Sequence, residues 1–180
     1  MKPKFEEDVK EEVTEEYSAT KKILAIITGI FIAVLIISFV FVNFPIADIL
    51  AGRSESKIIS NNTINLGNFS IVLENGTYDE LRLLYFDNPK TEIAACLIGK
   101  KEGSFYLIES LYIPKIYSKT FSEVIFGPCS NSTIIMLHSH PYQHCIASDT
   151  DINTLNQTKQ ENPNIIMVIM CEAKRFAVYS

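Results

Sequence analysis

At 180 residues the chain has room for one compact domain plus an appendage, which excludes a large multidomain enzyme. With 47% hydrophobic and 21% charged residues it is too apolar for intrinsic disorder, and 7 glycines with 7 prolines exclude a collagen-like or linker-dominated chain. The net charge of -5, without a Lys/Arg-rich block or a basic aromatic stripe, argues against nucleic acid as a partner.

Residues 1–22 carry seven acids (Glu6, Glu7, Asp8, Glu11, Glu12, Glu15, Glu16) and five lysines with few core formers, so they read as a solvated tail or a short helix. Residues 23–42 are apolar except for Thr28, Gly29 and Ser38, and no charge occurs between Lys22 and Asp48. Twenty residues at about 1.5 Å each match a bilayer core of about 30 Å, so 23–44 is read as a single transmembrane helix. A cleaved signal peptide is the rival, with a weak site at Ile49-x-Ala51, but its apolar stretch should be shorter and lie closer to the start. Lys2, Lys4, Lys10, Lys21 and Lys22 precede the span, against Arg53 and Lys57 just after it; this places the N-terminus inside and the remainder outside. Five N-x-[ST] triplets, beginning at Asn61, Asn68, Asn75, Asn131 and Asn156, agree with an exported domain, although polar loops are rich in these residues anyway.

Residues 45–58 read as a linker and 59–180 as an α/β domain. In chain order the pattern predicts a strand at 71–73 ending in an Asn75-Gly76 turn and a helix over 78–86 closed by Asn88-Pro89. A strand over 92–98 stopping at Gly99 follows, then a hairpin partner at 105–113. Strands at 133–137, 165–170 and 176–179 and a polar helix over 148–160 complete the reading.

The chain's three histidines are His138, His140 and His144. At an extended strand end, residues i and i+2 project to one side, so His138 and His140 can reach one ion, and Asp151 on the following helix supplies a third ligand. Two His, one carboxylate and an open position describe a catalytic rather than a structural zinc site.

The set His138-Ser139-His140, seven residues, then Ser148-Asp149-Thr150-Asp151 resembles the JAMM signature, H-x-H, seven residues, S-x-x-D, of the MPN+ zinc metallopeptidases. Glu92 through Leu97 to Gly99 resembles their upstream strand, E-x-x-x-x-L-x-G. The similarity covers roughly residues 60–180 and is nearest to the compact prokaryotic and archaeal members. It implies an MPN, cytidine-deaminase-like α/β fold with a mixed sheet and flanking helices. It implies Zn2+ held by His138, His140 and Asp151, with Glu92 taking a proton from the attacking water and handing it to the leaving amine. Ser148 would hydrogen-bond the developing oxyanion. The implied reaction is hydrolysis of an amide or isopeptide bond, with a peptide or protein partner of which a ubiquitin-like tail is one form. Such modifiers are cytosolic, in conflict with an outer-face domain, so an extracytoplasmic substrate or a cytoplasmic-facing domain are the two ways out. The alternative function is a non-hydrolytic zinc-binding MPN interaction scaffold.

Simpler readings stand beside these roles. Glu92 is alternatively a strand-edge carboxylate, with Glu102 or Glu109 in its place; Ser148 is an N-cap in either reading; Asp149 is a first-turn carboxylate. His144 reads as a loop residue near the site, and Pro141 as a residue fixing that loop. Cys96, Cys129, Cys145 and Cys171 lack zinc-site spacing; a Cys129–Cys145 bridge around the strand carrying His138 is expected, with Cys96 and Cys171 as buried thiols.

Overall fold

The computed structural model describes residues 4–44, 46–140 and 144–180. The chain divides into two units, Met1–Ile46 and Ala47–Ser180.

The first unit is a helix, α1 (Lys4–Asn43). The acidic leader is thus neither a tail nor a separate short helix but the first turns of the helix that contains the apolar stretch. Within it, Ala19–Asn43 has a mean hydropathy of 3.0 and the length to cross a membrane. Its large side chains, Ile26, Ile30 and Val34 among them, are left uncovered by protein, unlike those of a soluble core helix.

All but the first residue of α2 (Ile46–Glu55) belongs to the second unit, so most of the segment read as a linker is helical. Gly52 explains its seating, since a Cβ there would press on Cys145 and Ile146. Arg175 Nη1 donates to Arg53 O at 3.2 Å and to Ser56 Oγ at 3.3 Å, which fixes the end of the helix. These are tertiary contacts, invisible to a linker reading that rests on local composition.

Among the described residues ten strands follow, with two helices between them: β1 (Lys57–Ile58), β2 (Thr63–Asn65), β3 (Ser70–Leu73), α3 (Thr77–Asp87), β4 (Ala94–Glu102) and β5 (Phe105–Tyr112). Then come β6 (Ile116–Lys119), β7 (Val124–Phe126), β8 (Thr133–Ser139), α4 (Asp149–Glu161), β9 (Ile166–Glu172) and β10 (Arg175–Tyr179). Eight strands form one mixed sheet in the order β1-β10-β9-β8-β4-β5-β3-β2, and β6 and β7 pair separately. β8 and β9 are parallel, with α4 in the connection between them, as a parallel crossover requires.

The sheet is buried on both faces at its centre. Ile135 and Leu137 of β8 join a core with Ile93, Leu97 and Phe176 beneath Leu81 of α3, whereas Met136 packs with Met167 and with Leu155 of α4. This two-residue alternation sends successive residues of β8 to opposite faces.

Two expectations are corrected here. β4 does not stop at Gly99: it continues to Glu102 through a register shift at Ile98/Gly99, where the Leu107 carbonyl approaches so closely that no Cβ would fit. Cys129 does not pair with Cys145, and Cys96 and Cys171 are not free thiols; the bridges are Cys96–Cys129 and Cys145–Cys171, with Cα separations of 5.8 and 5.2 Å. The reason is geometric. Cys129 precedes β8 and Cys145 follows it, and seven extended residues span about 23 Å, far beyond disulfide reach. Each cysteine instead meets a neighbour of β8, on β4 or β9.

Candidate metal centre

The centre lies where β8 ends. His138 is held by strand pairing with Ala94 of β4 and Ile169 of β9. His140, one residue past the strand, donates its amide to Met170 O at 3.4 Å. Both side chains are buried, at 5% and 8% exposure, and their Nε2 atoms lie 3.1 Å apart. Two imidazole nitrogens brought this close within a protein interior form a donor pair that an ion can share.

Asp151 arrives from α4. Its Oδ1 is 3.2 Å from His138 Nε2 and its Oδ2 is 3.4 Å from His140 Nε2. Ser148 fixes it through a capping box: the Ser148 amide and hydroxyl both donate to Asp151 Oδ2, at 2.8 and 2.7 Å, and Asp151 N donates to Ser148 Oγ at 3.2 Å. One local motif thus starts the helix and aims the ligand. Asp149 occupies the first turn, as expected. The potential ligand atoms of His138, His140 and Asp151 all lie within 4.8 Å of one another, so the three together can hold a metal ion.

Glu92 stands across from this group, in the connection between α3 and β4. It is two residues upstream of Ala94, the register partner of His138, and only 5% exposed. Its amide donates to Thr120 O at 3.1 Å, which ties it to the β6–β7 hairpin. Burial pushes its carboxyl up to about 7; the opposing pull comes from His140, and Asp151 and Glu123 add to the rise. Asp151 shifts the other way. Burial alone would raise it, but hydrogen bonds from His138 and His140, and then from Ser148, hold it far below the ordinary carboxylate range. The alternative acids are elsewhere: Glu102 is exposed and pairs with Lys100 at 2.8 Å, and Glu109 is an exposed residue of β5.

The ring of His144 stacks on that of His140, with centroids 5.7 Å apart, so it lies beside the site as a loop residue would. Pro141 falls outside the described residues. Three supporting groups escaped the sequence reading. Ser139 Oγ accepts from Ile93 N at 3.0 Å, locking β8 to the segment that follows Glu92. Tyr179 accepts from Ala147 N at 2.8 Å and donates to Cys145 O at 3.3 Å, bracing the approach to Ser148. The Cys145–Cys171 bridge ties the same approach to β9. Four cysteines signalled bridges without their pairing; nothing in sequence marked Tyr179.

No family model matches the chain, and no curated protein matches it. The chemistry of the site therefore rests on its own geometry.

Proposed function

We propose that this chain is a membrane-anchored zinc metallopeptidase with an MPN fold, which hydrolyses an amide or isopeptide bond in a peptide or protein by the JAMM mechanism. The observation that carries the reading is the convergence of His138, His140 and Asp151 on one point, with the buried, high-pKa Glu92 and the hydroxyl of Ser148 around it. Two neutral nitrogens and one carboxylate suit zinc and leave a coordination position open.

When bound, zinc lowers the pKa of water into the neutral range and polarises a carbonyl. The protein's own groups then divide the work. Glu92, with a pKa of about 7, is poised at neutral pH to accept a proton from the attacking water and to return it to the leaving amine. The Ser148 hydroxyl can turn from Asp151 toward the oxyanion that develops on the scissile carbonyl, so that it stabilises charge present only near the transition state. Asp151 would remain a carboxylate, since the Ser148 amide still donates to it and the positive charge of a bound ion favours the anion.

An outer-face location is part of the proposal, with α1 as a single-pass anchor and its N-terminus inside. The lysine asymmetry supports it, and so do two disulfides, which persist in oxidising compartments. All five sequon asparagines are exposed.

The test is zinc analysis and peptide hydrolysis on the purified full chain, wild type beside Glu92→Gln. One zinc in each, with cleavage by wild type alone, is the expected result. Zinc in both and no cleavage by either of a broad panel of peptides and ubiquitin-like fusions would overturn the peptidase reading in favour of a binding module.

A further inference from the structure

Beside Glu92 the surface opens into a cleft of about 160 Å³. Tyr85 and Phe86 at the end of α3 form one wall and Phe121, in the β6–β7 turn, forms another; Glu92 and Ser139 line its inner end and Lys90 also borders it. Folding leaves Phe86 and Phe121 57% and 41% exposed, so both rings retain surface that a bound apolar group can cover.

The walls are pinned to each other. Lys119 Nζ donates to Asn88 Oδ1 at 2.6 Å, joining the hairpin to the end of α3, and Asn88 Nδ2 donates to Leu84 O at 2.8 Å. The Glu92–Thr120 backbone bond holds the residue preceding Phe121. The cleft is therefore preformed, and a group entering it meets little ordering cost.

Its size is close to the roughly 150 Å³ cavity that accepts a benzene ring. Glu92 links the cleft to the centre: it lines the cleft and is near enough to His140 and Asp151 for their charges to act on its carboxyl, so a side chain in the cleft lies close to the scissile bond of the proposed reaction. The exposed Lys90 and the buried Glu92 oppose each other in charge, so it is the aromatic walls that set the preference. A glycine would leave both aromatic rings in water and gain nothing from them.

We infer that this cleft is a specificity subsite that takes one large apolar side chain, phenylalanine- or leucine-sized, flanking the scissile bond, so that the substrate is a peptide or protein segment with such a residue and not a tail ending in consecutive glycines. The inference rests on the peptidase reading for the identity of the scissile bond. The cleft's affinity for an apolar side chain stands apart from it.

The test has a cleavage arm and a binding arm, both on the full chain in lipid nanodiscs. In the first, peptides differing only in the residues flanking the cut are compared. Phe and Leu substrates are expected to exceed Gly and Lys substrates in kcat/KM by at least about tenfold, the discrimination an apolar pocket supplies. Phe121→Ala and Phe86→Ala should each shrink the Phe-to-Gly ratio several-fold, and Phe121→Leu should restore most of it. Cleavage without side-chain preference, or with a preference that neither alanine variant alters, would overturn the inference and leave the peptidase reading intact. In the second arm, saturation-transfer NMR compares N-acetylphenylalaninamide with N-acetylglycinamide. Binding of the former alone, lost in the Phe86→Ala/Phe121→Ala double variant, supports the cleft even if no peptide is cut, in which case it is the peptidase reading that falls. Equal binding, or binding unchanged in the double variant, counts against the cleft whatever the cleavage data show.

Discussion

The two carboxylates of the site, Asp151 and Glu92, are the same functional group in opposite environments. Asp151 sits where a helix begins, receives the Ser148 amide and hydroxyl, and faces two imidazoles, so its charged form is favoured. Glu92 lies in a buried connection with few partners for its charge, so its neutral form persists up to about pH 7. On the proposed function, a pair of acids driven apart in this way divides the labour: one an anion suited to a cation, the other a proton carrier suited to turnover. The difference comes from hydrogen-bond supply rather than from burial, which raises the pKa of both.

Substitutions can break each half separately. The largest effect is expected from His138→Ala or Asp151→Ala, which should remove bound zinc and reduce hydrolysis to background; metal analysis by mass spectrometry alongside the peptide assay checks both at once. Next, Glu92→Gln should keep the metal while lowering kcat by about 10²- to 10⁴-fold, the usual range for a general base. Because the Glu92 pKa is raised on folding, the folded state binds more protons than the unfolded state between pH 4.5 and about 7, and stability falls as pH rises through that window. Glu92→Gln removes this slope and should stabilise the metal-free protein at pH 7.5 by roughly 2 kcal/mol in urea titrations, an inactive variant sturdier than wild type. Wild-type activity should rise with pH to a plateau above neutrality, since the carboxylate is the competent form; a profile falling over that range would contradict the base assignment.

Ser148→Ala touches both halves, because the hydroxyl that caps α4 is also the one proposed to serve the oxyanion. A loss of about 10² in kcat and about 1 kcal/mol in stability is expected. Ser148→Thr should recover the stability more fully than the rate, a split readable from thermal melts set beside kinetics. The smallest direct effect on chemistry should come from Cys145→Ala/Cys171→Ala. Opening a bridge of separation 26 costs about 3 kcal/mol in the chain-entropy model, or roughly a 10 °C drop in Tm by calorimetry, with zinc affinity weakened rather than abolished.

Much of this was legible in one dimension because the determinants are local. The apolar stretch is continuous; the strand-ending His138-x-His140 pair obeys a two-residue period; and the Ser148-to-Asp151 spacing serves a capping box and a ligand set together. Short-range geometry of this kind follows from bond lengths and backbone periodicity, and needs no partner element to define it. What depended on distant segments was not legible. Gly99 looked like a strand end until the Leu107 carbonyl was placed against it; residues 46–55 looked like a linker until Arg175 and Cys145 gave the helix something to pack on; and the disulfide partners were chosen by which strands flank β8. Sequence alone thus determined the membrane-length helix, the α/β character and the trio of residues that can hold a metal ion. Only the tertiary structure decided the strand order, the cysteine pairing and the burial that lifts Glu92, because each depends on contacts between residues far apart in the chain, whose approach is set by how the whole sheet buries its two faces.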